Sequence, residues 1–289
     1  MSLWDKPSTI RESYPYEPFA NDGNGSEGEK AEFALPAGTA FNLAPLSLED
    51  RQCLSRVAAL SPFVIGKDGS GRGFAVFPDL GESGYKASGL SWEQYEAVAR
   101  MIGDRRVFAA FDRGALELRM PGPLHEQIAG LLASIVEILG AELDIPLLDL
   151  KSVTLKREDL GRAAEADQTY FLCEGELRTL RSNALDLNVD PAPVLAIEVD
   201  VTSPSLDRLG IFAALGVREI WRWRDDAAEF LELTPEGVYA SRPRSRLFPA
   251  LTAETVAEFV TLGRTMSKTR WHRRFREYVQ TEYDGPRPL

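Results

Sequence analysis

Three carboxylates in two short stretches of this chain have the types and spacing to hold a hard metal ion. The segment Pro193-Val-Leu-Ala-Ile-Glu-Val-Asp-Val201 reads as an apolar strand that carries Glu198 and Asp200. Side chains alternate along a strand, so these two share one face while Leu195, Ile197, Val199 and Val201 share the other. A lone buried carboxylate costs several kcal/mol or gives up its charge, so a pair on one buried strand asks for a cation. Upstream, the acidic turn Glu165-Ala-Asp167 leads into a further apolar segment and adds Asp167. Taken alone, the strand pair has a second reading as a solvated face that pairs with arginines.

The chemistry such a set would do is metal-assisted hydrolysis. Mg²⁺ takes oxygen ligands in near-octahedral geometry and keeps several waters. It acidifies a bound water and offsets charge that builds on a phosphate in the transition state.

The elements that must position these residues follow from pattern. Ser91 with Gln94 three residues on forms a capping box that starts a helix running to about Ile102. Val107–Phe111 and Ala115–Met120 form a hairpin around Asp112-Arg-Gly114. The spacing of Ile128, Leu131, Leu132, Ile135, Ile138 and Leu139 predicts a helix from His125 to about Leu139, with Gly140 placed to end it. Strands follow near Lys151–Leu155 and Thr169–Leu172, then the acidic strand, then a short helix capped by Ser203 or Ser205 and closed by Gly216. Glu219–Trp223 alternates as a strand, Phe230–Leu233 with Val238-Tyr239 as a hairpin, and Lys268–Thr281 as a helix with Trp271, Phe275, Tyr278 and Val279 on one face. The order predicts a mixed α/β sheet domain. Residues 1–45, rich in Pro, Gly, Ser and acids, are expected to be mostly disordered. Residues 46–88 are expected to form a small helix and hairpin addition with Ser47 as N-cap, 89–281 the main domain, and 282–289 a tail. The glycine-rich turn Gly66–Gly73 lacks the Gly-Lys-Ser/Thr ending of a phosphate-binding loop.

The formal net charge of −11 is the wrong sign for a protein that coats nucleic acid. Residues 263–276 nevertheless hold six Lys/Arg and no acid, which leaves −17 for the rest. That basic run reads first as a solvated helix face. Two distant cysteines, Cys53 and Cys173, make no disulfide framework and fit a reducing cytoplasm. No leader is expected, and the apolar stretch 128–139 is too short and polar to span a bilayer, so no membrane association is expected.

The runs Met120-Pro-Gly-Pro-Leu-His125-Glu126, Glu165-Ala-Asp167, Ile197-Glu-Val-Asp-Val-Thr-Ser-Pro-Ser205 and Ala214-Leu-Gly-Val-Arg-Glu-Ile-Trp221 together resemble the Uma-two family of bacterial restriction-endonuclease-like proteins, in the PD-(D/E)XK nuclease superfamily. The resemblance covers about residues 89–280. It implies a restriction-endonuclease-like mixed sheet flanked by helices and a Mg²⁺-dependent, or Mn²⁺-dependent, endonuclease site that acts on DNA. Carried over position by position, Asp167 is the motif Asp, Glu198 the motif Glu and Glu126 the helical acid, so the implied metal ligands are Glu126, Asp167, Glu198 and Asp200. His125 is expected to orient the helix start. The chain departs from the pattern at Ala166, where the family has Pro, and at Asp200, where the superfamily has Lys. Arg208, four residues before Phe212, takes the place of a lysine that migrates to the following helix. It can stabilise an anion but cannot accept a proton. Lys151 and Lys156 are the fallback cations. Two rivals stand beside this reading: a catalytically degenerate relative kept as a nucleic-acid-binding or protein-interaction module, and a hydrolase of small phosphoesters. Oligomeric state, a homodimer included, is open at this point.

Overall fold

The computed structural model of the protein describes residues 38–58, 64–67, 73–78, 84–103, 105–172, 184–200 and 206–283. The chain runs β1 (Gly38–Asn42), α1 (Leu48–Ala58), β2 (Val64–Lys67), β3 (Gly73–Pro78), β4 (Tyr85–Ala87), α2 (Trp92–Ile102), β5 (Phe108–Asp112), β6 (Ala115–Arg119) and α3 (Pro123–Glu142). It continues β7 (Leu147–Asp149), β8 (Thr154–Arg157), β9 (Arg162–Glu165), β10 (Gln168–Leu172), β11 (Ala184–Asp186), β12 (Leu195–Asp200) and α4 (Arg208–Ala214). It closes with β13 (Glu219–Arg224), β14 (Ala227–Leu233), β15 (Tyr239–Arg242), α5 (Ala253–Gly263) and α6 (Lys268–Thr281).

Two six-stranded mixed sheets form the body, in the orders β15-β14-β13-β12-β10-β7 and β11-β8-β9-β5-β6-β4. A three-stranded antiparallel sheet, β1-β3-β2, sits at the N-terminal side. The fold is mixed α/β, as the element pattern predicts.

Strand alternation divides the first sheet cleanly. Leu195, Ile197 and Val199 of β12 pack with α3, α5 and α6 in one core. Ala196 on the opposite face packs with Ile211 and Phe212 of α4 and with Ala110, Leu155 and Ala164 of the second sheet. Glu198 and Asp200 therefore face α4 and the second sheet. The basic helix α6 lies on the other side, with Trp271, Phe275 and Val279 buried and Arg270 and Arg273 exposed. Arg276 pairs with Glu142 and Arg274 with Glu277, which is the solvated face expected of that run.

Several expectations change. Residues 38–45 are not part of a loose extension: Gly38–Asn42 pairs with β3, and Phe41 and Leu43 are fully buried. They share a core with α1, α2, β5 and β6, so the N-terminal elements are continuous with the main body rather than an addition to it. The boundary near residue 89 also falls late, because β4 pairs with β6. Residues 1–37 lie outside the described residues. Gly140 does not end α3, which runs on to Glu142. A Cβ at Gly140 would lie 3.1 Å from Leu147 Cδ1, so the glycine admits β7 to the helix surface. Ser203 and Ser205 lie outside the described residues, and the N-cap of α4 is Asp207, which accepts from Gly210 N at 2.9 Å. α5 and the short strands β7, β9 and β11 lack an expectation in the sequence. At 20 residues, α3 is long and apolar enough to cross a membrane, but 67% of its apolar window is buried inside the fold, which makes it a core helix.

Candidate active site at the seam of the two sheets

The chain leaves the second sheet at the end of β9 and enters the first at β10. Ala166 and Asp167 are the two residues of that crossing. Asp167 N donates to Ile197 O at 3.0 Å, and Gln168 pairs with Ile197. Extending this antiparallel register by one step sets Asp167 opposite Glu198, on the same face. Asp167 Oδ2 accepts from Val199 N at 2.7 Å, so the carboxylate prolongs the ladder where the backbone turns away. Ala166 is fully buried in the core beneath.

Three other elements bring partners to this point. β6 ends on Arg119, whose Nη2 lies 3.5 Å from Asp167 Oδ1 and 3.5 Å from Glu198 Oε2. Its guanidinium carbon lies 5.7 Å from the ring centre of Phe108, the cross-strand neighbour on β5. The first turn of α3 delivers His125, with Nε2 at 3.1 Å from Asp167 Oδ2. α4 opens on Arg208, which grips Glu198 at two points, Nε to Oε2 at 2.9 Å and Nη2 to Oε1 at 2.8 Å. The same Nη2 donates to Glu165 O at 2.6 Å, tying α4 to the end of β9. Glu117, two residues before Arg119 on the same face of β6, is buried and close enough to add to the field at Arg208.

The electrostatics follow from burial against pairing. Burial raises the Asp167 carboxyl, but His125, Arg119 and Arg208 outweigh it and hold the group below the usual carboxylate range. Burial opposes charge on His125, yet Asp167 holds its imidazole above the usual histidine range. Burial pushes Glu198 up, while the Arg208 charge pulls it back. A two-point guanidinium fork needs the carboxylate form, so Glu198 and Arg208 stand as an ion pair. Burial raises Glu165 to about 7, against the pull of Thr154 and the two arginines.

Asp167, Glu198 and Arg208 thus meet in one buried cluster. Asp200 does not join them: Arg222 on β13 donates to it from Nε at 2.6 Å, the arginine pairing that the strand pattern also allowed. Glu126 is exposed on the first turn of α3, and the neighbouring His125 points to Asp167 instead, so the helical acid implied by the resemblance does not reach the cluster. Glu198, Asp200, Arg208 and Arg222 line a cavity of about 140 Å³ between β12 and α4. At roughly 30 Å³ per water, it admits a few waters or one phosphate-sized group. The fallback cations are elsewhere: Lys156 pairs with Glu96 at 2.7 Å, and Lys151 is exposed beyond β7.

Sequence reasoning missed Arg119, Glu117 and Arg222. The signal was the one that exposed β12. Glu117 and Arg119 are two charges two residues apart on an apolar strand, and Arg222 and Arg224 repeat the pattern on β13.

The donor set can be tested against Mg²⁺. Asp167 Oδ1 and Glu198 Oε2 both face Arg119 Nη2, and each is a hard oxygen. Two carboxylates are the number Mg²⁺ commonly takes from protein when waters and a substrate phosphate supply the rest. No three His, Cys, Asp or Glu side chains converge on a point among the described residues. The pair fits a two-carboxylate site, with Arg119 standing at the point the two oxygens share.

Fold and site define a mixed α/β domain with a buried carboxylate pair at the seam of two sheets. The Uma2 (Uma-two) family model, described as "Putative restriction endonuclease", matches residues 92–264, well over half of the chain, and the chain belongs to this family. A solved structure described as a "putative nuclease belonging to DUF820" from Anabaena variabilis ATCC 29413 is similar at 9% identity, covering 65% of this chain and 99% of that one with a TM-score of 0.41. No curated protein matches.

Proposed function

We propose that this protein is a divalent-metal-dependent endonuclease that hydrolyses DNA phosphodiester bonds at the Asp167–Glu198 pair. The observation that carries the reading is that two carboxylates, one from the β9–β10 crossing and one from β12, present one oxygen each to a common point, in a family whose model is described as "Putative restriction endonuclease". Asp167 and Glu198 would hold Mg²⁺ or Mn²⁺, which when bound supplies Lewis-acid stabilisation of phosphate charge and a water of lowered pKa. Val199 N holds one oxygen of Asp167, with His125 Nε2 at 3.1 Å from the same atom, and the other oxygen faces the shared point. Arg208 fixes Glu198 through both oxygens and brings a positive charge to the cavity beside it. Arg208 and Arg222 line that cavity together with Glu198, Asp200 and Asp207, and in this reading the two arginines carry the positive charge that the superfamily draws from a strand lysine.

The site supports a second reading through Asp200, which stands in the lysine position and is neutralised by Arg222. In that reading the fold is a nucleic-acid-binding module without turnover. Incubating supercoiled plasmid with purified protein, with and without Mg²⁺ or Mn²⁺, separates the two. Metal-dependent nicking that Glu198→Gln abolishes supports the nuclease. Metal-independent retention of DNA on gels without nicking supports the binding module.

A further inference from the structure

We infer that Arg119 is the built-in counter-ion of the metal position, so that a divalent ion enters only as the guanidinium leaves. The inference rests on the reading of Asp167 and Glu198 as metal ligands.

The geometry is specific. One nitrogen, Arg119 Nη2, is equidistant from Asp167 Oδ1 and Glu198 Oε2 at 3.5 Å. These oxygens come from the β9–β10 crossing and from β12, and both carboxylates are almost wholly buried. Of the other oxygens, Asp167 Oδ2 is held by Val199 N and Glu198 Oε1 by Arg208 Nη2, while Glu198 Oε2 also accepts from Arg208 Nε at 2.9 Å. Arg119 Nη2 stands at the point where a cation bridging Asp167 Oδ1 and Glu198 Oε2 would sit. At 3.5 Å each the contacts are longer than a strong charged hydrogen bond, which runs about 2.7–2.9 Å. Arg119 sits between the two acids rather than bonding tightly to either.

Arg119 also has somewhere to go. It is the last residue of β6, followed by a turn and the N-terminus of α3. Its side chain keeps some contact with solvent, unlike Arg208, which is enclosed and pinned by three hydrogen bonds. The two arginines therefore have different parts: Arg208 is a fixed fork, and Arg119 a movable cation held by charge. Mg²⁺–oxygen distances of roughly 2.0–2.1 Å leave no room for a guanidinium at the same point. Two cations there would also repel.

The test is Mn²⁺ affinity by calorimetry and by electron paramagnetic resonance on the full chain without DNA, which reads binding rather than turnover. Arg119→Met keeps an unbranched apolar stem but removes the charge. Arg119→Lys keeps a charge. Arg119→Met is expected to bind one Mn²⁺ about tenfold more tightly than wild type or more, because a unit charge close to the metal point is removed. Arg119→Lys should stay within about threefold of wild type, and adding Glu198→Gln to Arg119→Met should cancel the gain. If wild type binds one Mn²⁺ in a Glu198-dependent way and Arg119→Met binds no better, the counter-ion role is overturned while the metal reading stands. If no variant binds Mn²⁺ at this pair, the inference and the metal reading fall together.

Discussion

Arg208 holds Glu198 through both carboxylate oxygens, at 2.8 and 2.9 Å, with both side chains almost fully buried. The contact spans only ten residues of sequence, from the end of β12 to the first turn of α4. It makes one guanidinium both a structural tie and a charge beside the cavity.

That double role changes what deletion of Arg208 should do. Arg208→Ala leaves Glu198 buried and uncompensated, and removing one partner of a buried pair costs about 3–5 kcal/mol. Urea unfolding should show a loss of that size, in addition to the loss of the positive charge beside the cavity. Arg208→Lys keeps the charge, loses one point of the fork and should lose less. The double variant Arg208→Met/Glu198→Met should be more stable than Arg208→Ala, since no charge is stranded.

Glu126 is expected to be silent. It is exposed, and His125 rather than Glu126 approaches Asp167. Glu126→Ala should leave Mn²⁺ affinity and plasmid nicking within about twofold, the behaviour of a surface change away from the site. A loss of tenfold or more in either would restore Glu126 as a ligand that moves in when metal binds.

The N-terminal boundary can be measured by truncation. A chain that begins at residue 38 should unfold cooperatively. One that begins at residue 46 removes the buried side chains of Phe41 and Leu43, each worth about 1.5–3 kcal/mol when fully buried. Urea denaturation should show the shorter chain weaker by at least the cost of one such side chain. Equal midpoints would mean that β1 adds nothing to the core it touches.

A pH test addresses the same junction. Arg100 donates from Nε and Nη2 to Asp50 Oδ1 at 3.0 and 2.7 Å, joining α1 to α2. The Arg100 hydrogen bond is the main cause that holds the Asp50 carboxyl below its ordinary value. A depressed folded pKa means that the contribution to stability is complete above the unfolded value and is lost as pH falls through the folded one. Asp50→Asn should therefore be less stable than wild type at pH 7, and the gap should close as pH falls below about 4. A gap that persists unchanged at pH 3 would contradict the ion pair.

Much of this was legible in the sequence for identifiable reasons. The hairpin of β5 and β6 turns at Arg113 and Gly114, both with positive φ, which the Asp-Arg-Gly turn foreshadows. The capping box at Ser91 and Gln94 is present with both hydrogen bonds. The α6 helix occupies Lys268–Thr281, as its apolar spacing predicts. What escaped is set by distant partners. β7 and β11 are three residues long and exist because β10 and β8 pair with them. The split between His125 and Glu126 is a rotation of one helical step, which spacing alone does not phase against a strand arriving forty residues later. Arg119 escaped because a charge at the end of a hairpin strand is ordinary until the crossing at Asp167 is folded against it.

The central claim is that Asp167 and Glu198 are the working carboxylates of a metal-dependent DNA hydrolase. Its most direct measurement is cleavage of an end-labelled DNA duplex in Mg²⁺ by wild type, Asp167→Asn and Glu198→Gln, with folding of each checked by circular dichroism. The account predicts that wild type cuts, that chelation stops it, and that each variant, though folded, loses about 10²-fold or more in rate, the scale of removing one group that stabilises transition-state charge. Cleavage by the folded variants at the wild-type rate, or a wild type that never cuts with any divalent metal, would contradict it.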